Sequence, residues 1–301
     1  MYSESMDEST SQRRPTVAFV GTGVMGLSMA GHVLAAGHPL YVFNRTQQKA
    51  SSLVNAGAVW CESAGEAASK GEIVITMLGY PDDVEAVYLG ADGVLNSARR
   101  GALLIDMTTS SPQIAQRIAV EAESRGLCAL DAPVSGGDIG AREASLVIMA
   151  GGSSVAFDRA LPLLQLMGKT IRRLGEAGAG QHCKMANQSA VALGMLAWCE
   201  SMAYARAQGL DAALVQQVIS GGAAGSWAMS NLAPRALNGD FAPGFYVKHI
   251  IKDILIALRC ACEAGLEMPG LEKALSLFEK AASRGWQECG TQVLYRLYCE
   301  D

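Results

Sequence analysis

The sequence predicts an α/β fold with a mostly parallel sheet, followed by an all-helical second half. Up to Gly178, short β-branched runs alternate with helical patterns at intervals that leave room for crossover helices; beyond it only helical patterns remain. The stretch from Gly178 to Ala207, GAGQHCKMANQSAVALGMLAWCESMAYARA, marks the change. Gly178 and Gly180 permit a break, and no proline interrupts the residues after them, so one long helix is expected. At 301 residues, 50% hydrophobic and 18% charged, the chain is long enough for two domains with cores of their own. The expected division is a lead-in at 1–14, a sheet domain at 15–178 and a helical domain at 179–301.

Residues 1–14, MYSESMDESTSQRR, carry acids and serines without an apolar stretch and read as a disordered lead-in, not a signal peptide. TVAFV at 16–20 is a strand that leads directly into Gly21-Thr22-Gly23-Val24-Met25-Gly26, with a helical pattern to Gly37. In that setting the glycines have separate tasks. Gly21 makes the tight turn, Gly23 lets backbone approach a pyrophosphate, and Gly26 lets the helix lie close to the strand. The helix start adds free N–H groups and a positive dipole end. A Rossmann-type dinucleotide site is the reading, with a purely structural glycine turn as the alternative. The next strand, Pro39–Phe43, ends in Asn44-Arg45-Thr46, about twenty residues past the glycines, where an NAD site usually carries Asp or Glu. Arg45 and Thr46 instead offer a cation and a hydroxyl to a 2′-phosphate. NADP(H) is therefore the expected cofactor, with NAD(H) as the alternative and an ordinary surface arginine as the plain reading.

Further strands are expected at Gly57–Trp60, Glu72–Leu78, Ala102–Asp106, Leu127–Leu130, Leu146–Ala150 and Thr170–Leu174. Ser63 to Glu66 reads as a capping box, and Ser111 with Pro112 as an N-cap and first helical residue. Ligands of open α/β sheets bind beyond the strand C-termini, so Leu78, Gly79, Asp83 and Thr109 are candidates for the cofactor rim. Asp131 to Ala141 reads as a loop, in which Ser135, Gly136 and Gly137 set backbone N–H groups beside a hydroxyl, a donor set suited to a carboxylate; a flexible connection is the alternative. On the long helix Lys184, Asn187, Gln188, Val191 and Met195 share one stripe, so polar groups open a face that later turns apolar. A solvated first turn is the plain alternative. The remaining helices are expected at Asp211–Ser220, Ser226–Leu237, Lys248–Ala264, Leu271–Arg284 and Thr291–Tyr298.

Net charge of -5 and a pI near 5.5, without blocks of like charge, argue against nucleic acid or an anionic membrane as partner. The apolar run Ala190–Cys199 is about half of what a membrane span needs, and a cytoplasmic location is expected. The eight cysteines show no zinc-site spacing and read as reduced and mostly buried. The four histidines lack HxxxH spacing, so no metal is assigned.

Four separated stretches, GTGVMGLSMAGHVLAAGH after the first strand, DAPVSGG at 131–137, GAGQHCKMANQ at 178–188 and KDILIA at 252–257, together resemble the β-hydroxyacid dehydrogenase family. That family includes 3-hydroxyisobutyrate dehydrogenases, tartronate semialdehyde reductases and glyoxylate/succinic semialdehyde reductases, and the resemblance runs from about residue 16 to the end of the chain. It implies NAD(P)-dependent interconversion of a small carboxylate-bearing hydroxyacid and its semialdehyde or keto form. Lys184 resembles the family's catalytic acid and base. Ser135 and Gly136 match the carboxylate-binding positions, and Asn187 or Gln188 the active-site amide, Asn187 being favoured. Lys252 resembles a residue that closes over the nicotinamide end, with Phe245 and Asp253 nearby in the pocket. Gly79 departs from the proline many members carry after the leucine. The resemblance also implies a homodimer or homotetramer through the helical domain; the apolar stripe Ile250, Ile251, Ile254, Leu255 and Leu258 fits this, with core packing as the alternative. Substrate choice is expected to lie with helical-domain residues such as Trp227, Phe245 and Tyr246. Two rivals are a non-catalytic dinucleotide-binding assembly module and an imine reductase. Lys184 weighs against both, since relatives of the first kind have typically lost that lysine and imine reductases usually carry Asp or Tyr there.

Overall fold

The computed structural model describes residues 13–299. Most of the expected lead-in lies outside them; Arg13 donates to Glu72 Oε2 at 2.8 Å. In chain order the first part contains β1 (Val17–Val20), α1 (Val24–Ala35), β2 (Leu40–Phe43), α2 (Ser51–Asn55), β3 (Val59–Trp60), α3 (Ala64–Lys70), β4 (Ile73–Thr76), α4 (Pro81–Leu89) and α5 (Val94–Ser97). It continues with β5 (Leu103–Asp106), α6 (Pro112–Ser124), β6 (Cys128–Asp131), β7 (Val134–Ser135), α7 (Gly137–Arg142), β8 (Leu146–Gly151), α8 (Ser154–Leu164) and β9 (Gly168–Gly175). The sheet order is β3-β2-β1-β4-β5-β6-β8-β7, with β9 paired to β8. β3 through β6 run parallel, in the order of a doubly wound dinucleotide-binding fold, and β8 joins β6 antiparallel.

The central strands are apolar without alternation because both faces are covered. Val17 and Phe19 of β1 enter one core with Ile73, Ile75, Leu103 and Ile105, while Ala18 and Val20 enter the opposite core with Val74 and Leu104. The α/β architecture expected from the alternation is the one observed. Local signals hold in detail. Ser63 Oγ accepts the N–H of Glu66, and Ser111 Oγ accepts that of Gln113 ahead of Pro112. The Glu66 carboxylate takes the N–H of Glu62, one residue earlier than a strict capping box would require.

The stretch expected to be a loop is not one. Val134–Ser135 pairs antiparallel with β8, and Gly136, at φ +129°, opens α7. Both elements are too short to show a period, and only the pairing partner ten or more residues downstream defines them.

The second part is helical: α9 (Ala179–Ala207), α10 (Ala212–Ser220), α11 (Trp227–Asn231), α12 (Ala233–Leu237), α13 (Val247–Glu263) and α14 (Pro269–Ala281), closed by a 3₁₀ stretch at Thr291–Tyr298. One separate core joins them, centred on Trp198, Met195, Phe278 and Ile254. The helix expected over 226–237 is two helices, because Pro234 lacks the N–H needed to continue the first. On α13 Val247, Ile250, Ile254, Ala257 and Ala261 form the buried stripe, so Ile250 and Ile254 are core residues and only Leu255 of the expected apolar stripe is exposed, at 49%.

All eight cysteines are free, but they are less buried than expected: only Cys61 and Cys199 are buried, and Cys262 and Cys299 are exposed. Among the described residues no helix is long and apolar enough to cross a membrane, and no cluster of His, Cys, Asp or Glu could hold a metal ion.

Candidate active site

The glycine turn is shaped by backbone contacts. Gly21 has φ +99°, and a Cβ there would lie 2.2 Å from Met77 O. A Cβ on Gly26 would lie 1.9 Å from Gly21 O, so this is where α1 comes down on the turn. Gly23 is different, because nothing lies within 4 Å of its would-be Cβ. That open space adjoins the start of α1, a twelve-residue helix whose first N–H groups have no side-chain cap and no acidic neighbour in the first turn. Val24 is exposed and Met25 half-buried beside it, and Thr22 Oγ1 is buried without a partner. A polar atom left unpaired, an uncapped helix start and a cradle that a side chain would fill are what a dinucleotide pyrophosphate needs.

Side chains then extend this end of the sheet. Thr22 N–H donates to Asn44 Oδ1 at 3.0 Å, and Asn44 Nδ2 to Thr46 O at 2.9 Å, which fixes the end of β2 against the turn. Arg45, with its side chain 81% exposed, pairs with Asp83 at 3.0 Å. Leu78 N–H donates to Thr108 Oγ1 at 2.8 Å, anchoring the loop after β4.

The second focus is the first turn of α9. Gly180 makes it possible, since a Cβ there would lie 2.3 Å from Met149 O. Asp131, at the C-terminal end of β6, receives Gly178 N–H at 2.7 Å on one carboxylate oxygen and Gln181 N–H at 2.8 Å on the other. A buried carboxylate thus caps the N-terminus of a 29-residue helix, where the dipole favours it. Gln181 locks the same turn to the loop after β5: its Oε1 accepts Ser110 N–H and its Nε2 donates to Thr108 O. Asp106, the register partner of Asp131, is raised to about 6 by burial, against which hydrogen bonds from Thr108 and Thr76 act.

Lys184 lies one turn further along this pinned helix. It is 6% exposed, and among the described residues no hydrogen bond reaches its ammonium. Burial lowers its pKa from the ordinary 10.5 to about 8; the charge of Asp253 opposes that shift and Lys252 adds to it. Next to it runs a chain of polar contacts. Asn187 Nδ2 donates to Gln188 Oε1 at 2.8 Å, Gln188 Nε2 donates to Asp253 Oδ2 at 2.5 Å, and Asp253 Oδ1 lies 2.9 Å from Lys252 Nζ. Lys252 Nζ in turn donates to Thr109 O at 2.6 Å, joining α13 to the loop after β5. Of the two amides, Gln188 is buried at 3% exposure and held by Asp253, while Asn187 is half-buried.

An aromatic group flanks this chain. The His249 ring meets those of Tyr80, Phe245 and Tyr246 at centroid distances of 5.7, 6.3 and 5.5 Å. Tyr80 comes from the loop after β4, so the group bridges the sheet and helical parts. Burial, then Lys252, hold His249 below its ordinary pKa. Asp138, the residue after the corner Ser135-Gly136-Gly137, approaches the same segment from the sheet side: a Cβ on Gly244 would lie 3.0 Å from its Oδ1. Trp227 is 61% exposed at the start of α11.

The structure thus links Asn187, Gln188, Asp253, Lys252 and Thr109 in one chain of contacts, with Lys184 close enough to feel the charges of Asp253 and Lys252, while Thr22, Asn44 and Thr46 are joined at the turn and Arg45 is paired with Asp83. Asp131, Gln181, Ser110, Tyr80 and His249 join them without having stood out as site residues in the sequence. For Asp131 a signal is present, since a carboxylate at a strand end is a candidate cap, but the helix it caps starts 47 residues later.

This sheet, with its glycine turn and helical second part, defines a nicotinamide-dinucleotide-binding oxidoreductase. Residues 16–175 match the family model described as the NAD binding domain of 6-phosphogluconate dehydrogenase, and residues 178–298 the one described as NAD-binding of NADP-dependent 3-hydroxyisobutyrate dehydrogenase. The chain belongs to the β-hydroxyacid dehydrogenase family, that of 3-hydroxyisobutyrate dehydrogenase. An uncharacterized oxidoreductase of Bacillus subtilis (strain 168) is 52% identical over 95% of this chain and 99% of its own length. The 2-hydroxy-3-oxopropionate reductase of Escherichia coli (strain K12) is 37% identical over 92% of this chain and 95% of its own. Among solved structures, 3-hydroxyisobutyrate dehydrogenase of Mycobacterium tuberculosis, with L-serine, superposes with a TM-score of 0.87 at 33% identity, covering 95% of this chain and 99% of that one.

Proposed function

We propose that the chain interconverts a small β-hydroxyacid and its semialdehyde or keto form, using NADP(H) in preference to NAD(H), with Lys184 as acid and base. The observation that carries this is the placement of Lys184, a buried amine brought to about 8 on a helix start pinned to the sheet. Such an amine can give and recover a proton near neutral pH. A non-catalytic module would have no use for it, and neither rival accounts for the polar chain around it.

In this reading residues 15–178 form the cofactor domain and 179–301 the substrate and dimerisation domain. Gly21, Thr22, Gly23, Val24, Met25 and Gly26 would hold the pyrophosphate, Asn44, Arg45 and Thr46 the adenosine ribose, and Leu78, Gly79, Asp83, Thr109 and Lys252 the rim. When bound, the nicotinamide supplies or accepts the hydride. Lys184 donates its proton to the carbonyl oxygen as negative charge grows there, and recovers it in the oxidation direction. Asn187 orients that oxygen, and Gln188, held by Asp253, keeps Asn187 in place. Ser135, Gly136 and Gly137 receive the substrate carboxylate, and Phe245 shields the reacting centre from water. The named 2-hydroxy-3-oxopropionate reductase relative supports a short carboxylate-bearing substrate. Exposed Leu210, Leu214 and Val218 on and before α10 support a homodimer through the helical part.

The test monitors NADPH absorbance across a panel of short semialdehydes and keto acids, with NADH as control and Lys184→Ala as blank. Faster turnover with NADH at equal concentration would remove the cofactor preference, and no turnover of any carboxylate-bearing carbonyl compound would remove the reaction.

A further inference from the structure

The end of β2 lacks the acid that usually receives the ribose hydroxyls of NAD(H), and Arg45 stands in that region. The fold nonetheless brings a carboxylate to the same place from another segment. Asp83, in the first turn of α4, lies 38 residues further along the chain, and its Oδ1 accepts from Arg45 Nη1 at 3.0 Å. The two partners differ in freedom. The Arg45 side chain is 81% exposed, whereas that of Asp83 is 21% exposed, so the carboxylate is the fixed member and the guanidinium is drawn to it.

The other oxygen explains how Asp83 is seated. Asp83 Oδ2 is buried without a hydrogen-bond partner and lies over Gly79, where a Cβ would approach it to 3.2 Å. A side chain at 79 would crowd that oxygen. Gly79 therefore leaves room for a carboxylate at this place, and Arg45 meets it there.

We propose that Asp83, seated over Gly79, is a specificity residue that limits the preference for NADP(H) by holding Arg45 in an ion pair. This rests on the reading that Arg45 receives a 2′-phosphate. The paired guanidinium offers that phosphate less net positive charge, and the carboxylate repels it. NAD(H), which carries no 2′-phosphate, does not meet that repulsion. The chain is thus built to use both cofactors with a modest bias, not to exclude one.

The experiment measures dissociation constants for NADPH and NADH by fluorescence titration on wild type, Asp83→Asn, Gly79→Ala and Arg45→Ala. Each variant is judged by the ratio of its own two affinities, so a general loss of stability cancels. Asp83→Asn is expected to raise the NADPH-to-NADH affinity ratio about tenfold, the size of a unit charge acting on a doubly charged phosphate at about 6 Å through water. Gly79→Ala should move it the same way, about threefold, by displacing the carboxylate. Arg45→Ala should lower it. A ratio that Arg45→Ala leaves unchanged would overturn the 2′-phosphate reading and this proposal with it. A ratio that falls in Arg45→Ala yet stays level or falls in Asp83→Asn would overturn this proposal alone.

Discussion

The glycine turn after β1 and the polar cluster on α9 and α13 are built by opposite means. The turn is made of backbone within six consecutive residues, and its fit comes from side chains that are missing: Gly21 and Gly26 leave room for neighbouring carbonyls, and Gly23 leaves room for a ligand. The cluster is made of side chains brought together from far apart, and its fit comes from partners that are present, with Gln188 and Asp253 65 residues apart and Lys252 and Thr109 143 apart. A site coded by local backbone tolerates changes around it but not within it. A site coded by long-range side chains depends on whatever holds its helices in register, here Asp131 and Gln181.

The largest test of this contrast is Lys184→Ala. It should lower turnover by about 10²- to 10⁴-fold while leaving dinucleotide affinity nearly unchanged, because the turn is independent of the cluster. Steady-state kinetics and a cofactor titration on the same variant separate the two. The pH profile sharpens it. With Lys184 at about 8, the ammonium form predominates below that pH, so reduction should fall off above about pH 8 and oxidation below it, both inflections vanishing in the variant. Stability depends on the same group with the sign of a depressed base. Since the folded value lies below the ordinary 10.5, the charged form costs the folded chain stability below about pH 8, and that cost is relieved as pH rises from about 8 towards 10.5.

Next in size, the turn itself should split into two behaviours. Gly26→Ala puts a methyl 1.9 Å from Gly21 O, which no rotamer relieves, and should destabilise the chain by about 1–3 kcal/mol in denaturant unfolding. Gly23→Ala meets nothing within 4 Å and should keep stability within about 1 kcal/mol, but weaken dinucleotide binding by about tenfold or more as the methyl takes the pyrophosphate's space. Equal effects of the two substitutions on stability would break this division of labour within the turn.

Asp131→Asn comes third. An amide can accept only one of the two N–H groups of Gly178 and Gln181 and turns its own NH₂ towards the other, at a cost of about 1–3 kcal/mol. Turnover should drop with stability while cofactor affinity holds, since the displaced element carries Lys184. A variant stable and fully active would mean that Gln181 alone positions α9.

The same contrast decides how much of the molecule is legible in its sequence. The strand, turn and helix around Gly21 can be read directly because every determinant sits within one short window. The single long helix at Ala179–Ala207 can be read for the same reason. The chain's other local signals, Ser63 and Ser111 as caps, are equally plain. Pairing across distance is not legible: β7 against β8, Asp131 on the start of α9, and Asp83 beside Arg45. The helix break at Leu232 escapes a reading of the sequence because Pro234 is tolerated in a first turn and so can begin a helix as well as end one. Cysteine burial escapes it too, because composition carries no information about which face of α13 the thiols of Cys260 and Cys262 occupy, or that Cys299, just past the final 3₁₀ stretch, is exposed.

The smallest expected effect concerns the joint between the two regions. Tyr80, from the loop after β4, touches His249 of α13 edge to face at a centroid distance of 5.7 Å, and it is 38% exposed. An aromatic pair of this kind contributes about 0.5–1.5 kcal/mol when packed, and partial exposure places this one at the low end. If the sheet and helical parts are held mainly by Asp131, Gln181 and the Lys252 bond to Thr109, Tyr80→Ala should shift the unfolding free energy by less than about 1 kcal/mol and turnover by less than about threefold. A loss as large as that of Asp131→Asn would make the aromatic contact the principal joint, and the register of α9 would then depend on the cofactor loop as much as on its own cap.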